Sequence, residues 1–221
     1  MFEYFNLLFT DFTIQTITIG TAIIGLTCGI LGSFAVLRKQ SLLGDAIAHS
    51  ALPGIAVAFL LTGVKDTLLF IVGASLSGII GAIWIISITK NTRLKSDSAL
   101  GIVLSIFFGF GIVLLTIIQR KPNANQAGLE RFLFGQAATL VPSDVFIISI
   151  IGLLSLLLVL IFWKEFKILT FDPQYATTLG FNVRLLDLLV TSFIVVAIVL
   201  GLQAVGVVLM SALLIAPAAA A

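Results

Sequence analysis

The chain has 221 residues, 60% of them hydrophobic and 10% charged. A soluble domain averages about 25% charged and 45–50% apolar residues, so a water-soluble enzyme and a disordered chain are both excluded. The net charge of +2 is too small for a nucleic-acid binder, and a lone cysteine, Cys28, excludes an internal disulfide framework or a cysteine-rich metal cluster.

Met1 to Phe12 carries Glu3 and Asp11 with no Lys or Arg, so it is not a secretory signal. It reads either as an interfacial helix lying on a membrane surface or as a frayed tail. A membrane-crossing helix needs roughly 20 mostly apolar residues. Such windows follow at 14–37, 40–62, 66–89, 97–118, 143–163 and 186–202, with a seventh apolar stretch at 204–221. Long apolar runs without alternation form helices, not a barrel. The expected fold is therefore an all-α polytopic membrane bundle of about seven spans, a single domain over residues 1–221.

The charges sort by loop. Arg38, Lys39, Lys90, Arg93, Lys95, Lys164, Lys167 and Arg184 fall on one side, and Lys65, Arg120, Lys121 and Arg131 on the other. The positive-inside bias makes the first side cytoplasmic and the N-terminus external. Small residues recur at four-residue spacing in Gly25/Gly29, Gly73/Ser77/Gly81 and Gly101/Ser105/Gly109, which predicts close helix packing. The external connection 119–143 leaves room for a short helix over Gly128–Ala138. The cytoplasmic connection spans 164–185.

The most informative stretch lies in the second span. Asp45 and His49 are four residues apart and so share a helix face. His49 is the single histidine of the chain. A carboxylate in the membrane costs several kcal/mol unless it pairs, meets water or holds an ion. Ala46, Ser50, Gly54 and Ala58 run beside that face, and this stripe is expected to hold the pair toward the bundle and away from lipid. Pro53 lacks an amide hydrogen and frees the His49 carbonyl. Carboxylate, imidazole and carbonyl together suit Mn²⁺, Zn²⁺ or Fe²⁺. Three readings stay open: passage of a metal ion, a plain Asp45–His49 pair or helix cap, and a proton relay.

In the cytoplasmic connection, FDPQYATTLGFNVR at 171–184 predicts a short helix over Pro173–Leu179. Asp172 is its N-cap, Pro173 its first residue and Gly180 its stop. Gln174, Ala176, Thr177 and Thr178 are expected to be exposed. Two turns are marginal alone, so the segment is either a surface linker or a contact for a cytoplasmic protein.

LLGDAIAHSALPGIA at 42–56, LFGQAATLVPSD at 133–144, FDPQYATTLGFN at 171–182 and GVVLMSALLIAPAA at 206–219 resemble the permease subunits of bacterial manganese/zinc/iron ABC importers. The loop is also similar to permeases of vitamin B12 and iron-siderophore importers. The resemblance implies a homodimer in the bacterial cell membrane, two cytoplasmic ATPase subunits and an extracellular metal-binding protein, with membrane lipid around it and no nucleic acid. It places metal handling on Asp45 and His49. It places coupling to the ATPase on Asp172, Pro173, Gln174, Ala176, Thr177 and Gly180. It also implies about two further spans beyond this chain.

The implied activity is passage of Mn²⁺ in the first place, with Zn²⁺ or Fe²⁺ as rivals. The metal is cargo, no cofactor is permanently bound, and ATP is held by the partner. The sequence contains no phosphate loop of its own, so the chain is expected to be a transport subunit and not an enzyme. The competing reading is an ion- or proton-coupled secondary metal transporter.

Overall fold

The computed structural model describes residues 11–40, 42–120 and 135–220, and every regular element among them is a helix. In chain order these are α1 (Phe12–Leu37), α2 (Leu43–Thr62), α3 (Thr67–Asn91), α4 (Ser96–Gln119), a 3₁₀ turn (Ala137–Thr139), α5 (Pro142–Ile161), α6 (Trp163–Phe171), α7 (Pro173–Thr178) and α8 (Val183–Ala220). Six of them, α1 to α5 and α8, are long and apolar enough to cross a membrane.

Local chemistry sets the boundaries. The Asp11 carboxylate accepts from Thr13 N at 2.8 Å and starts α1. Asp66 accepts from Leu69 N at 3.1 Å and starts α3. Such side chains satisfy amide donors that the first turn leaves unpaired. Gly63 ends α2 in the left-handed region, with φ of 66°, and Pro142 opens α5 without needing its missing amide.

The stripe Ala46/Ser50/Gly54/Ala58 meets the stripe Gly73/Ser77/Gly81. A Cβ on Gly54 would strike the Gly73 carbonyl, and one on Gly73 would lie 2.6 Å from the Gly54 oxygen. Ser77 Oγ donates to the Ser50 carbonyl at 2.6 Å, and a Cβ on Gly81 would lie 2.8 Å from Ser50 Oγ. In lipid, where apolar burial cannot drive association, this close approach and interhelical hydrogen bond hold α2 to α3. The other two stripes behave differently. Among the described residues nothing lies within 4 Å of a Cβ placed on Gly25, Gly29, Gly101 or Gly109, so these glycines are not points of close helix approach there. The spacing alone does not distinguish an inward from an outward small-residue face.

The expected sixth and seventh apolar stretches form one helix in sequence, α8, of 38 residues. Straight, it would run about 57 Å, far beyond a hydrocarbon layer of about 30 Å. It bends at Gly206, whose φ of 76° and ψ of 175° are not helical and suit only glycine. Beyond the bend the chain turns back. Met210 packs on Gly201, and Leu214 packs on Gly32 of α1 and Gly44 of α2. Gln136 N donates to the Gln203 carbonyl at 3.2 Å, tying the external connection to the bend. Most of the interfacial segment expected over Met1–Phe12 and most of the helix expected over Gly128–Ala138 lie outside the described residues, and Asp11 and Phe12 belong to the start of α1. The described end of the latter carries only the 3₁₀ turn.

Candidate functional site

Asp45 and His49 occupy the first two turns of α2. Their depth follows from their neighbours. Ser50 packs on Gly81, a little past the midpoint of α3, and the His49 ring stands edge-on to Phe108, near the midpoint of α4, with centroids 4.7 Å apart. The pair therefore lies well inside the spanning layer. His49 Nε2 is 3.6 Å from Asp45 Oδ1, too long for a hydrogen bond. His49 Nδ1 is buried without a hydrogen-bond partner. Asp45 does not cap α2, since the cap position is Leu42.

The pair lies at the edge of the described bundle: the His49 side chain is 22% exposed, with its ring against Phe108, and that of Asp45 is 42% exposed. The small-residue stripe does pack against α3, but the carboxylate, one residue before Ala46 and on a different face, remains accessible. Two ligands about 2.1 Å from a tetrahedral ion stand about 3.4 Å apart, so the 3.6 Å gap matches the space one ion takes between them. Among the described residues no group of three or more His, Cys, Asp or Glu side chains gathers to hold a metal. A two-ligand site is weak, as conduction requires. Cys28 is fully buried with its Sγ 3.7 Å from the Ala197 carbonyl, a core residue away from the pair.

At the basic end, α6 and α7 form a second feature. Phe166 is fully buried and contacts Phe34, Phe162 and Phe193, while Trp163 meets Phe34 edge-on at 5.5 Å. This aromatic cluster fixes α6 to α1 and α8, and α6 carries α7. The Asp172 carboxylate accepts from Tyr175 N at 2.9 Å, Pro173 opens the helix, and Gly180 follows with φ of 83°. Gln174, Thr177 and Thr178 are exposed as expected, and so are Asp172, Pro173 and Gly180. Ala176 is not. It is fully buried, and its carbonyl accepts from Phe181 N at 3.1 Å. In a six-residue helix the side facing the bundle is set by the anchoring of α6, and no periodicity announces it. The outward surface is also more apolar than expected, with Phe171 67% and Tyr175 53% exposed.

A third feature, also at the basic end, was not anticipated. Arg38 pairs with Asp187, whose other oxygen lies 3.6 Å from Lys90 Nζ. The Arg38 and Asp187 side chains are only 11% and 14% exposed. This ion triad joins the ends of α1 and α3 to the first turns of α8. The available signal was an acid at the start of an apolar window whose neighbouring spans end in cations. Asp187→Asn strands the buried guanidinium and is expected to destabilise the protein by about 3 kcal/mol. Arg38→Met combined with Asp187→Leu is expected to recover most of that. Thermal unfolding of both variants in detergent checks it, and equal stability of Asp187→Asn and wild type would remove the triad from the account.

Six helices long and apolar enough to cross a membrane define a multi-pass membrane protein. The ABC 3 transport family model matches residues 10–221. Over 214 residues the chain is 51% identical to the zinc transport system membrane protein TroC of Treponema pallidum, covering 97% of this chain and 72% of that protein. Over 218 residues it is 51% identical to the manganese transport system membrane protein MntC of Bacillus subtilis, covering 99% of this chain and 50% of that one. The fold matches PsaBC of Streptococcus pneumoniae, solved in complex with a Fab, with a TM-score of 0.83 at 35% identity over 98% of this chain and 75% of that chain. This chain belongs to the ABC 3 transport family, and it is a permease subunit, not itself an enzyme.

Proposed function

We propose that this chain is the membrane-spanning subunit of an ATP-driven importer that passes Mn²⁺ or Zn²⁺, with Asp45 and His49 as the ion's ligands. The observation that carries this is the carboxylate–imidazole pair on a partly exposed face at mid-depth of the membrane. An accessible carboxylate there is unfavourable against lipid. A second copy of the chain laid against this face shields it, so the path runs between the copies. Relatives named for zinc and for manganese transport support the choice of cargo. Family membership favours the ATP-driven reading over a proton-coupled secondary transporter.

On this reading an extracellular binding protein delivers the ion. Asp45 and His49 replace part of its water shell with one anionic oxygen and one imidazole nitrogen, and the His49 carbonyl, which Pro53 cannot bond, stands one turn on. The carboxylate compensates the ion's charge, and the small ligand number lets it leave toward the basic end. The ligand set is rich in hard oxygen, which suits Mn²⁺, while Zn²⁺ binds the same ligands more tightly. Selectivity then rests mainly on the delivering protein. Excess Zn²⁺ is expected to block uptake of labelled Mn²⁺ in reconstituted vesicles, and uptake indifferent to Zn²⁺ would contradict the shared site.

The driving force comes from a separate ATPase docked on α7. Asp172, Pro173, Gln174, Thr177 and Gly180 form the contact, with Phe171 and Tyr175 beside them as apolar anchors and Ala176 holding the helix to the bundle from behind. Gly180→Val is expected to uncouple ATP hydrolysis from transport. Among the described residues nothing lies within 4 Å of a Cβ placed there, but the positive φ disfavours valine by about 1–2 kcal/mol. Co-purification of the ATPase and its hydrolysis rate check this, and normal association with normal coupling would reduce the segment to a linker.

A further inference from the structure

The outer face of the ion triad opens into a groove of about 410 Å³ between the end of α3 and the start of α8. Its wall is graded along the membrane normal. Lys90, Asn91 and Arg184 stand at the helix ends and form the mouth, with Ser87 just below, while Ile83 and Leu188 line the deeper part. On α3 the residues Ile83, Ser87 and Lys90 follow helical spacing on one face, and on α8 Arg184 and Leu188 are one turn apart. Ile83 and Leu188 are 44% and 39% exposed, so the deeper part is open toward lipid.

The electrostatics favour an anion. Asp187 is the one acid of the wall, and Arg38 already neutralises it. Lys90 is 54% exposed, and among the described residues Arg184 makes no ion pair. Arg38, Lys90 and Arg184 against Asp187 leave two positive charges in excess at the mouth. A cationic, hydrogen-bonding mouth at the helix ends above an apolar floor has the order of charge and hydrocarbon found in an anionic phospholipid of that leaflet. A free phosphate would use only the mouth, and a zwitterionic lipid would bring an ammonium group against the two cations.

We propose that this groove holds one anionic phospholipid, its phosphate between Lys90 and Arg184 and an acyl chain along Ile83 and Leu188. The bound lipid would clamp α3 to α8 at the end where α7 begins its approach to the next subunit. The site is independent of the metal pair and of the proposed cargo.

The test uses the full chain purified in a neutral detergent, titrated separately with short-chain phosphatidylglycerol, phosphatidylcholine of the same chain length, and inorganic phosphate. Bound lipid is counted by native mass spectrometry, and thermal stabilisation is read in parallel. One saturable phosphatidylglycerol is expected, with phosphatidylcholine about tenfold weaker and phosphate without effect. Arg184→Gln leaves the ion triad intact and is expected to weaken phosphatidylglycerol severalfold, and Lys90→Gln with Arg184→Gln to bring it to the phosphatidylcholine level. Ile83→Trp fills the floor without changing charge and is expected to weaken both lipids. Equal binding of the two lipids, undiminished binding by the Arg184→Gln variant, or phosphate competing as well as the lipid would each overturn the proposal. So would release of the lipid by a cytoplasmic partner that itself needs Lys90 and Arg184, since the groove would then be a protein contact.

Discussion

Asp45→Asn and His49→Ala are each expected to abolish metal uptake while leaving the protein folded and inserted. Loss of a residue that only supports a metal ligand costs roughly 10–100-fold, and loss of a ligand from a two-ligand site should cost at least the upper end of that range. The fold should tolerate both changes. Asp45 is nearly half exposed and makes no cap, and His49 leans on Phe108 alone among the described rings. Asn keeps the shape of Asp45 and removes the charge, so it separates charge from packing. Uptake by reconstituted vesicles, with monodispersity as the folding control, decides it. Wild-type uptake by the double variant would exclude the pair from the path.

Gly54→Leu is expected to have the largest structural effect. At this position any side chain points at the Gly73 carbonyl and Ser77 Cβ. Backbone cannot give as a flexible side chain can, so α2 and α3 must separate. Overpacking in a close-packed interior costs about 1–3 kcal/mol and more when backbone must move. Separation also breaks the Ser77–Ser50 hydrogen bond, one residue from His49, so transport should fall even where some protein folds. Gly101→Leu is the matched control, since among the described residues nothing lies within 4 Å of a Cβ placed there. The yield of monodisperse protein should drop for Gly54→Leu and hold for Gly101→Leu. Equal yields would mean that the glycine crossing does not hold α2 and α3 together.

The parts legible in the sequence are those fixed by local or strongly periodic chemistry. The apolar windows predicted the helices because a membrane demands length and hydrophobicity together. Asp172, Pro173 and Gly180 predicted the ends of α7 because caps act within one turn. The four-residue spacing of Asp45 and His49 predicted their shared face. What escaped depends on tertiary contact. The burial of Ala176 follows from the docking of α6, a nine-residue helix too short to announce itself as a span. The turn-back of α8 hangs on one glycine, Gly206, in an apolar run that reads equally well as two spans. The Arg38–Asp187–Lys90 triad joins residues from three separate helices, and no spacing within one segment encodes it. The partial exposure of Asp45 was missed for the same reason, since a helix face can be read from sequence but what covers that face cannot.

On the proposed reading, Asp45 and His49 pass a divalent metal through this subunit under the drive of a separate ATPase. The most direct measurement is ATP-dependent uptake of labelled Mn²⁺ by vesicles holding this chain and its purified ATPase. The wild type and the Asp45→Asn and His49→Ala variants are compared at matched incorporation, with ATP hydrolysis recorded in the same vesicles. Uptake is expected only with both ATP and the ATPase present, and none above background in either variant although the ATPase remains bound. Uptake that persists in the variants, or that proceeds without ATP, would contradict that reading.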